Sequence, residues 1–214
     1  MPVNTHVLDV AVIAMLIMSA ILHEVSHGWA ALALGDDTAK RAHRLTLNPL
    51  DHLDPIGSVL VPVVLVLTAH LFFAWAKPVP VNVNKLRHPR NDAVLTALAG
   101  PACNLVLVAL TSIALHLLQP IPGTWTWILL WYFGFLNILL CCFNLLPIPP
   151  LDGSAVLERA IPTRHLGAYY RIRPLTMLVV FGFVLFAAGS SAENSVYTFL
   201  ALHWSSFAGY PGIY

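Results

Sequence analysis

The chain has 214 residues, of which 58% are apolar and only 10% are charged. An average soluble domain is about half apolar and about a quarter charged, so this chain has too few charged side chains to cover a soluble surface. This composition excludes an ordinary cytosolic enzyme. The 11 Lys and Arg residues exceed the 10 Asp and Glu residues by one, and no basic tract is present, which excludes nucleic acid as a partner.

Apolar stretches with few or no charged residues predict membrane helices, because a hydrocarbon core of about 30 Å requires about 20 apolar residues per helix. In chain order these stretches are 7–34, 56–75, 93–118, 125–146, 175–188 and 196–207. A signal peptide requires Lys or Arg before its apolar stretch. None precedes the first stretch here, so we expect this stretch to be retained. The third and fourth predict complete crossings, and the last predicts a short sixth helix or an interfacial one.

The basic residues predict the topology, since cytoplasmic loops collect Lys and Arg. All of them lie in three loops, at 40–44, 77–90 and 159–173, whereas the loop 119–124 has no charge. Stretch 93–118 should therefore run outward and stretch 125–146 inward. Basic loops flank stretch 56–75 on both sides, so we expect it to enter and leave on the same face. Such a re-entrant element requires a surrounding protein or water-filled cavity.

The sequence His23-Glu24-Val25-Ser26-His27 lies in the first apolar stretch. On a helix, residues four apart share one face, so both imidazoles can bind a single zinc ion. A Glu directly after the first His can take a proton from water, as in metalloproteases. Placing Glu24 in hydrocarbon costs about 2 to 3 kcal/mol, which favours a functional role over a structural one. The pattern predicts that His23 and His27 are metal ligands and that Glu24 is catalytic.

A zinc site of this kind needs a third protein ligand, and the acidic candidates are Asp51, Asp54 and Asp152. Asp54 precedes Pro and Asp152 precedes Gly, and both dipeptides are also common in turns. The chemistry of these residues alone does not choose among the three. Of the remaining histidines, His52 is the one whose position after the zinc helix allows it to line the cavity, although turn formation is the more usual role there.

Three motifs together resemble the site-2 protease family of intramembrane zinc metalloproteases, in its compact branch without a peptide-binding domain. They are His23-Glu24-x-x-His27, Gly100-Pro101-Ala102-Cys103-Asn104, and Asn144-x-x-Pro147 leading to Leu151-Asp152-Gly153. The segments Leu45-Thr46-Leu47-Asn48-Pro49 and Trp75-Ala76-Lys77-Pro78-Val79-Pro80-Val81-Asn82 are similar to that branch as well. The resemblance implies one Zn²⁺ per chain and an origin in a bacterial or archaeal cell membrane.

By this resemblance Asp152 is the third zinc ligand, Asn144 contacts the substrate, and Asn104 belongs to the helix packed against the catalytic centre. An Asn in a helical bundle is also a common interhelical hydrogen-bonding residue. Topology agrees with Asp152, because stretches 7–34 and 125–146 both run inward and carry their ligands near the cytoplasmic end.

The segment from Val79 to Val83 alternates with a period of two, which is typical of a strand. Two prolines remove donors from one edge, so the other edge is predicted to pair with residues 44–48. We expect a small β-hairpin or sheet near the cytoplasmic face, in which Val79 and Val81 bind an extended substrate. The structural alternative is a hairpin that acts only as a lid.

The sequence thus predicts an all-α polytopic membrane protein with about five transmembrane helices, a re-entrant segment and a small sheet, in a single domain over 1–214. The predicted function is that of a zinc endopeptidase that cuts peptide bonds in or near the transmembrane segments of a protein substrate in the lipid bilayer. The alternatives are a zinc transporter, which needs ligands along a path across the membrane, and a catalytically silent homologue that binds membrane proteins.

Overall fold

The computed structural model describes residues 5–54, 77–172, 175–176 and 191–211. Within these ranges all regular secondary structure is helical, which confirms the predicted all-α class. The α-helices are α1 (Thr5–Ala33), α2 (Thr38–Arg41), α3 (Pro89–Leu118), α4 (Trp125–Asn144), α5 (Ser154–Ala160) and α6 (Ser191–Phe207). Residues 163–172 are also helical, and 3-10 turns lie at Pro49–His52 and Val83–Lys85.

Three helices are long and apolar enough to cross a membrane, namely His6–Ala33, Pro89–Leu118 and Trp125–Asn144. They confirm three of the predicted spans. The stretch 56–75, predicted to be re-entrant, lies outside the described residues, as does all of stretch 175–188 except its first two residues. The count of about five spans is therefore not confirmed. Helix α6 contains the last predicted stretch, and its 17 residues are fewer than the about 20 that a full crossing requires.

Local sequence explains where the long helices begin and end. Helix α3 starts with Pro89, whose missing N–H costs nothing in the first turn, and the Asp92 carboxylate accepts a hydrogen bond from the His88 N–H at 2.7 Å. The hydroxyl of Thr124 caps α4 by accepting a main-chain hydrogen bond. Helix α1 is followed by Gly35 with φ of +113°, a conformation that side-chain-bearing residues rarely adopt.

The described residues form two compact units, which helices α1 and α3 both enter. The first unit comprises Met1–Ser19 and Pro101–Tyr214. Its core is aromatic: Trp131 and Phe135 of α4 stack with ring centroids 5.1 Å apart and pack in one cluster with Trp204 of α6. The Trp131 indole donates to the Ser205 hydroxyl, and the Trp204 indole donates to the Trp131 carbonyl, each at 3.0 Å. Both buried indole N–H groups are therefore satisfied.

The second unit, Ala20–Gly100, contains the end of α1, the following loop and the start of α3. Helix α1 meets the loop at Gly28, where a Cβ atom would lie 2.5 Å from the Leu45 side chain and 2.9 Å from that of Val79. The main-chain N–H of Arg87 donates to the carbonyl of Leu34 at 3.0 Å, just beyond the end of α1. The segment that precedes α3 is therefore packed along the end of α1.

The predicted small sheet is not found, because the described residues contain no strand. The expected pairing partners of residues 79–83 are replaced by side chains. The N–H of Val79 donates to Glu24 Oε2, and the N–H of Asn82 donates to Asp36 Oδ2. Carboxylates take these two donors, no ladder of main-chain hydrogen bonds forms along 79–82, and Val83 already begins a 3-10 turn.

Candidate metal centre

Two imidazoles lie together in the second unit, on one face of α1. His23 and His27 are 5% and 8% exposed, and their Nε2 atoms are 3.2 Å apart. Two nitrogens that bind one zinc ion tetrahedrally at about 2.0 Å are about 3.3 Å from each other. The spacing of the two ring nitrogens therefore fits a shared zinc ion without rearrangement.

Helix α3 fixes the orientation of His27. The Nδ1 atom of this residue lies 2.7 Å from the main-chain carbonyl oxygen of Thr96. A carbonyl oxygen only accepts hydrogen bonds, so Nδ1 carries the proton and Nε2 keeps its lone pair. This is the tautomer that a metal ligand needs, and such a second hydrogen bond is usual at histidine ligands.

Gly100 of α3 faces the two histidines at close range. A Cβ atom at this position would lie 2.5 Å from His27 Nε2 and 2.6 Å from His23 Nε2. No side chain has room there, so the space next to the ring nitrogens depends on glycine. The sequence pattern identified this residue only as part of the motif that begins at Gly100, with no role of its own.

Glu24 lies between the two histidines in the sequence, and it is half-buried. Its Oε2 atom accepts a hydrogen bond from the main-chain N–H of Val79 at 3.1 Å. The side chain of Val79 is itself buried and packs against Gly28. A carboxylate held in this way, next in sequence to one of the two imidazoles, is suited to accept a proton from water.

The acidic candidates for a third ligand differ in position. Asp51 and Asp54 belong to the second unit, and among the described residues neither brings a carboxylate oxygen within 4.8 Å of both ring nitrogens. Asp152 belongs to the first unit, where it is half-buried in the turn between α4 and α5. Its role as a ligand stays a prediction.

The turn that carries Asp152 is tightly fixed. The N–H of Gly153 donates to the carbonyl of Asn144 at 2.7 Å, and a Cβ atom at this glycine would lie 2.2 Å from the Leu145 carbonyl oxygen. The hydroxyl of Thr176 donates to the carbonyl of Pro149 at 2.9 Å. The Asp-Gly dipeptide is therefore a turn, as its composition indicates, and the turn has a defined position against the end of α4.

The two predicted substrate-binding asparagines have different surroundings. Asn144 is half-buried at the end of α4, and its side-chain NH₂ donates to the carbonyl of Leu140 at 2.9 Å. Asn104 is fully buried and donates to Asn137 Oδ1 at 2.8 Å. Asn137 in turn donates to the Ser19 hydroxyl at 3.0 Å. Asn104 therefore takes part in a polar network that joins α1, α3 and α4, and its contact with substrate stays a prediction.

Three contributors were missed by sequence reasoning: Thr96, Asn137 and the main-chain amide of Val79. Thr96 stands one helical turn before Gly100, so its spacing from a motif residue was a usable signal. Asn137 was detectable as a polar residue in an otherwise apolar helix. The contact of Val79 with Glu24 joins residues 55 positions apart, and no local pattern predicts it.

Comparison with known proteins identifies the family. The model of Peptidase family M50 matches residues 122–187. The protein named "Putative zinc metalloprotease YwhC" from Bacillus subtilis is 40% identical over 156 residues, which cover 69% of this chain and 67% of that protein. "Putative zinc metalloprotease Rip2" from Mycolicibacterium smegmatis is 34% identical over 150 residues, which cover 70% of this chain and 56% of that protein.

An archaeal relative, "Putative zinc metalloprotease MJ0611" from Methanocaldococcus jannaschii, is 43% identical over 65 residues, 29% of this chain and 31% of that protein. No solved structure matches the chain. The resemblance drawn from the sequence motifs is confirmed: the chain belongs to peptidase family M50, the site-2 protease family of membrane zinc metalloproteases.

Proposed function

We propose that this protein is an intramembrane zinc endopeptidase that cuts peptide bonds in or near the transmembrane segments of another membrane protein. One observation carries the proposal. The Nε2 atoms of His23 and His27 lie 3.2 Å apart on a helix that is apolar enough to cross a membrane, with Glu24 adjacent to both in sequence. Buried ionisable groups at membrane depth are costly, so their presence in this pattern supports catalysis.

His23 and His27 would hold the metal together with Asp152. Support for Asp152 comes from its place in the Leu151-Asp152-Gly153 motif and from the inward direction predicted for both α1 and α4. The positions of Asp51 and Asp54 away from the ring nitrogens support the same choice. With three protein ligands, a tetrahedral zinc ion keeps one position open for chemistry.

The zinc ion, when bound, would polarise the scissile carbonyl group and lower the pKa of the attacking water. The residues of the chain do the rest. Glu24 takes the proton of that water and delivers it to the leaving amine, and the Thr96 carbonyl keeps His27 in the required tautomer. The buried setting of both imidazoles excludes bulk water from the ligand atoms.

The substrate must bind in an extended form, because a helix hides its scissile carbonyl in its own hydrogen bonds. Unpaired main-chain groups cost several kcal/mol each in a water-poor site, so a protein segment that pairs with the opened chain lowers the cost of unwinding. We assign this role to Val79–Val83, with Asn104 and Asn144 as further substrate contacts. The N–H of Val79 already binds Glu24, which leaves Val81 as the main pairing residue.

We place the active site toward the cytoplasmic side. The histidines lie in the second half of α1, and the segment that follows carries Lys40, Arg41 and Arg44. Basic residues also precede α3, whereas the loop between α3 and α4 has none. Cytoplasmic loops are the ones enriched in Lys and Arg, so the histidine end of α1 faces inward.

The proposal is tested with Glu24→Gln, which keeps the size of the side chain and removes the general base. We expect zinc to be retained while cleavage of a transmembrane substrate falls by about 10² to 10⁴-fold. Metal analysis and cleavage in reconstituted membranes are measured on one preparation, with Asp37→Asn, which lies outside the histidine motif, as control. Near-normal cleavage by Glu24→Gln would end the mechanism, and zinc flux across vesicles in place of cleavage would favour a transporter.

A further inference from the structure

One segment of the second unit, Lys77–Asn82, is held at three points. At its start, the N–H of Lys77 donates to the carbonyl of His52 at 2.9 Å, and the Lys77 carbonyl accepts from Arg44 Nη2 at 2.8 Å. Both main-chain polar groups of Lys77 are therefore bound by the preceding loop. This fixes where the segment begins.

At its middle, the segment contacts the catalytic carboxylate. The Val79 N–H donates to Glu24 Oε2 at 3.1 Å, and the Val79 side chain is 6% exposed. Packing against Gly28, one helical turn beyond Glu24, holds this side chain in place. A Glu side chain has three rotatable bonds, so a donor on one oxygen restricts where the other oxygen points.

At its end, the segment is bound by a buried carboxylate. Asp36 is 0% exposed, and its Oδ2 atom accepts from the Asn82 N–H at 2.6 Å. Its Oδ1 atom accepts from the main-chain N–H of Thr38 at 3.0 Å and from the Thr38 hydroxyl. Both oxygens of Asp36 are thus used, one on its own loop and one on the segment that reaches Glu24.

We propose that Asp36 and the main-chain amide of Val79 are positioning groups for Glu24. Asp36 holds the end of Lys77–Asn82, the segment presents the Val79 N–H, and this N–H orients the carboxylate that moves the proton. The inference rests on the proposed function, since it assigns Glu24 its role as general base. The Val79 N–H is taken by Glu24, and the oxygens of Asp36 are taken by Thr38 and Asn82, so we assign both groups an effect on catalysis that runs through Glu24.

A matched pair of variants separates this role from a structural one. Asp36→Ala removes the acceptor of the Asn82 N–H, whereas Asp37→Ala removes an adjacent, half-buried carboxylate that binds Lys85 and Arg41. We expect kcat per bound zinc to fall about tenfold or more in Asp36→Ala, with zinc content unchanged and with a smaller change in KM than in kcat, because misplacing a catalytic group mainly affects the transition state. Asp37→Ala should match the wild type.

Hydrogen exchange supplies a readout that does not depend on activity. The amides of Val79 and Asn82 should be protected in the wild type and in Asp37→Ala, and should exchange faster in Asp36→Ala. Asp36→Asn keeps one acceptor oxygen and should give intermediate values in both experiments. Val79→Pro removes the donor to Glu24 directly and should lower kcat by about 10 to 100-fold while zinc stays bound.

Unchanged kcat per bound zinc in Asp36→Ala, or unchanged exchange at Val79, overturns the inference. If Asp36→Ala does not fold, Val79→Pro decides by the same kcat criterion. The inference is also overturned if the Val79 amide of the wild type exchanges as fast as in an unfolded chain. Failure of the wild type to cleave in a zinc-dependent way overturns the proposed function instead, so the two failures are distinguishable.

Discussion

The Nδ1 atom of His27 and the main-chain carbonyl oxygen of Thr96 are 2.7 Å apart, which joins the face of α1 that carries His23 and His27 to α3. Thr96 stands four residues before Gly100, so both lie on the same face of α3. One helix therefore sets the tautomer of His27 and leaves the space beside the two ring nitrogens. The geometry of the candidate metal site depends on this close packing as much as on the two histidines.

Gly100→Ala should weaken metal binding although Gly100 is not itself a predicted ligand. The added Cβ atom would lie 2.5 Å from His27 Nε2 and 2.6 Å from His23 Nε2, so the rings or the helix must move. A change beside the ligands commonly costs about 10 to 100-fold in metal affinity, and we expect a loss of that size. Zinc affinity measured by competition with a chelator checks this.

Gly167→Ala is the matched control for that substitution. A Cβ atom at Gly167 meets nothing within 4 Å, and the residue lies in the helical range 163–172. Replacing a helical Gly by Ala gains up to about 1 kcal/mol of helix stability, so zinc affinity should be unchanged and stability equal or higher. Equal zinc affinity in the two alanine variants would show that the close approach at Gly100 is unimportant.

The assignment of the third ligand is tested by three alanine variants. Asp152→Ala should lose stoichiometric zinc, because two imidazoles alone bind the metal weakly. Asp51→Ala and Asp54→Ala should keep it, since neither carboxylate lies near both ring nitrogens. Metal content per folded protein is the measurement. If Asp54→Ala strips the metal and Asp152→Ala binds it normally, the site must be rebuilt around the loop after α1.

Local patterns in the sequence predicted the helices and the histidine pair, because both follow from composition and from a spacing of four within one helix. The predicted strand at 79–83 was wrong because the structure of this segment depends on contacts between residues far apart in the sequence. Alternation describes where side chains point. The main-chain N–H groups of Val79 and Asn82 instead bind the carboxylates of Glu24 and Asp36, which lie 55 and 46 positions away in the sequence. The approach of Gly100 to the imidazoles is also a contact between two helices, and a pattern within one helix does not predict it.

Asn137→Ala should destabilise the protein, because Asn137 joins three helices through Asn104 and Ser19. Hydrogen bonds between membrane helices contribute about 0.6 to 2 kcal/mol each, so we expect a loss of about 1 to 3 kcal/mol. Ser19→Ala removes one of these bonds and should cost less. Thermal unfolding in a fixed detergent gives the comparison, and an unchanged melting temperature in Asn137→Ala would contradict it.

Asn104→Ala separates packing from substrate binding at the same network. Loss of its bond to Asn137 should lower the melting temperature as in Asn137→Ala. If Asn104 also contacts the substrate, KM should rise further than it does in Asn137→Ala, because only Asn104 is predicted to reach the bound peptide. Equal KM values in the two variants would leave Asn104 with a packing role alone.

Asp36 should make the stability of the protein depend on pH. Burial raises the pKa of this carboxyl group, but hydrogen bonds from Thr38 and Asn82, together with the charge of Lys85, outweigh burial and hold the pKa below 3.8. Because the folded pKa is the lower one, the stabilisation is complete above the unfolded value of about 3.9 and is lost as pH falls through the folded pKa.

The stability difference between the wild type and Asp36→Asn should therefore be constant from about pH 7 to pH 5 and shrink below about pH 4. Unfolding by denaturant across this range measures it. The pKa of Asp37 is lowered mainly by its hydrogen bond to Lys85, but this group is partly exposed, so Asp37→Asn should change stability little. A difference for Asp36→Asn that grows toward low pH would contradict the assignment.

Val81 tests how the substrate is bound. Among the described residues its N–H has no hydrogen-bond partner, although the N–H groups of Val79 and Asn82 on either side are bound to carboxylates. Val81→Pro removes this single donor and should reduce cleavage of helical substrates while zinc binding is spared, because an opened substrate loses one compensating main-chain bond.

Gly or Pro near the scissile bond should make a substrate better and should offset part of the defect, since a weakened helix needs less compensation to unwind. Cleavage rates for substrates with strengthened and weakened helices, measured with the wild type and Val81→Pro, give the four values that decide. Equal rates for all four would refute pairing at Val81 and leave the zinc chemistry untouched.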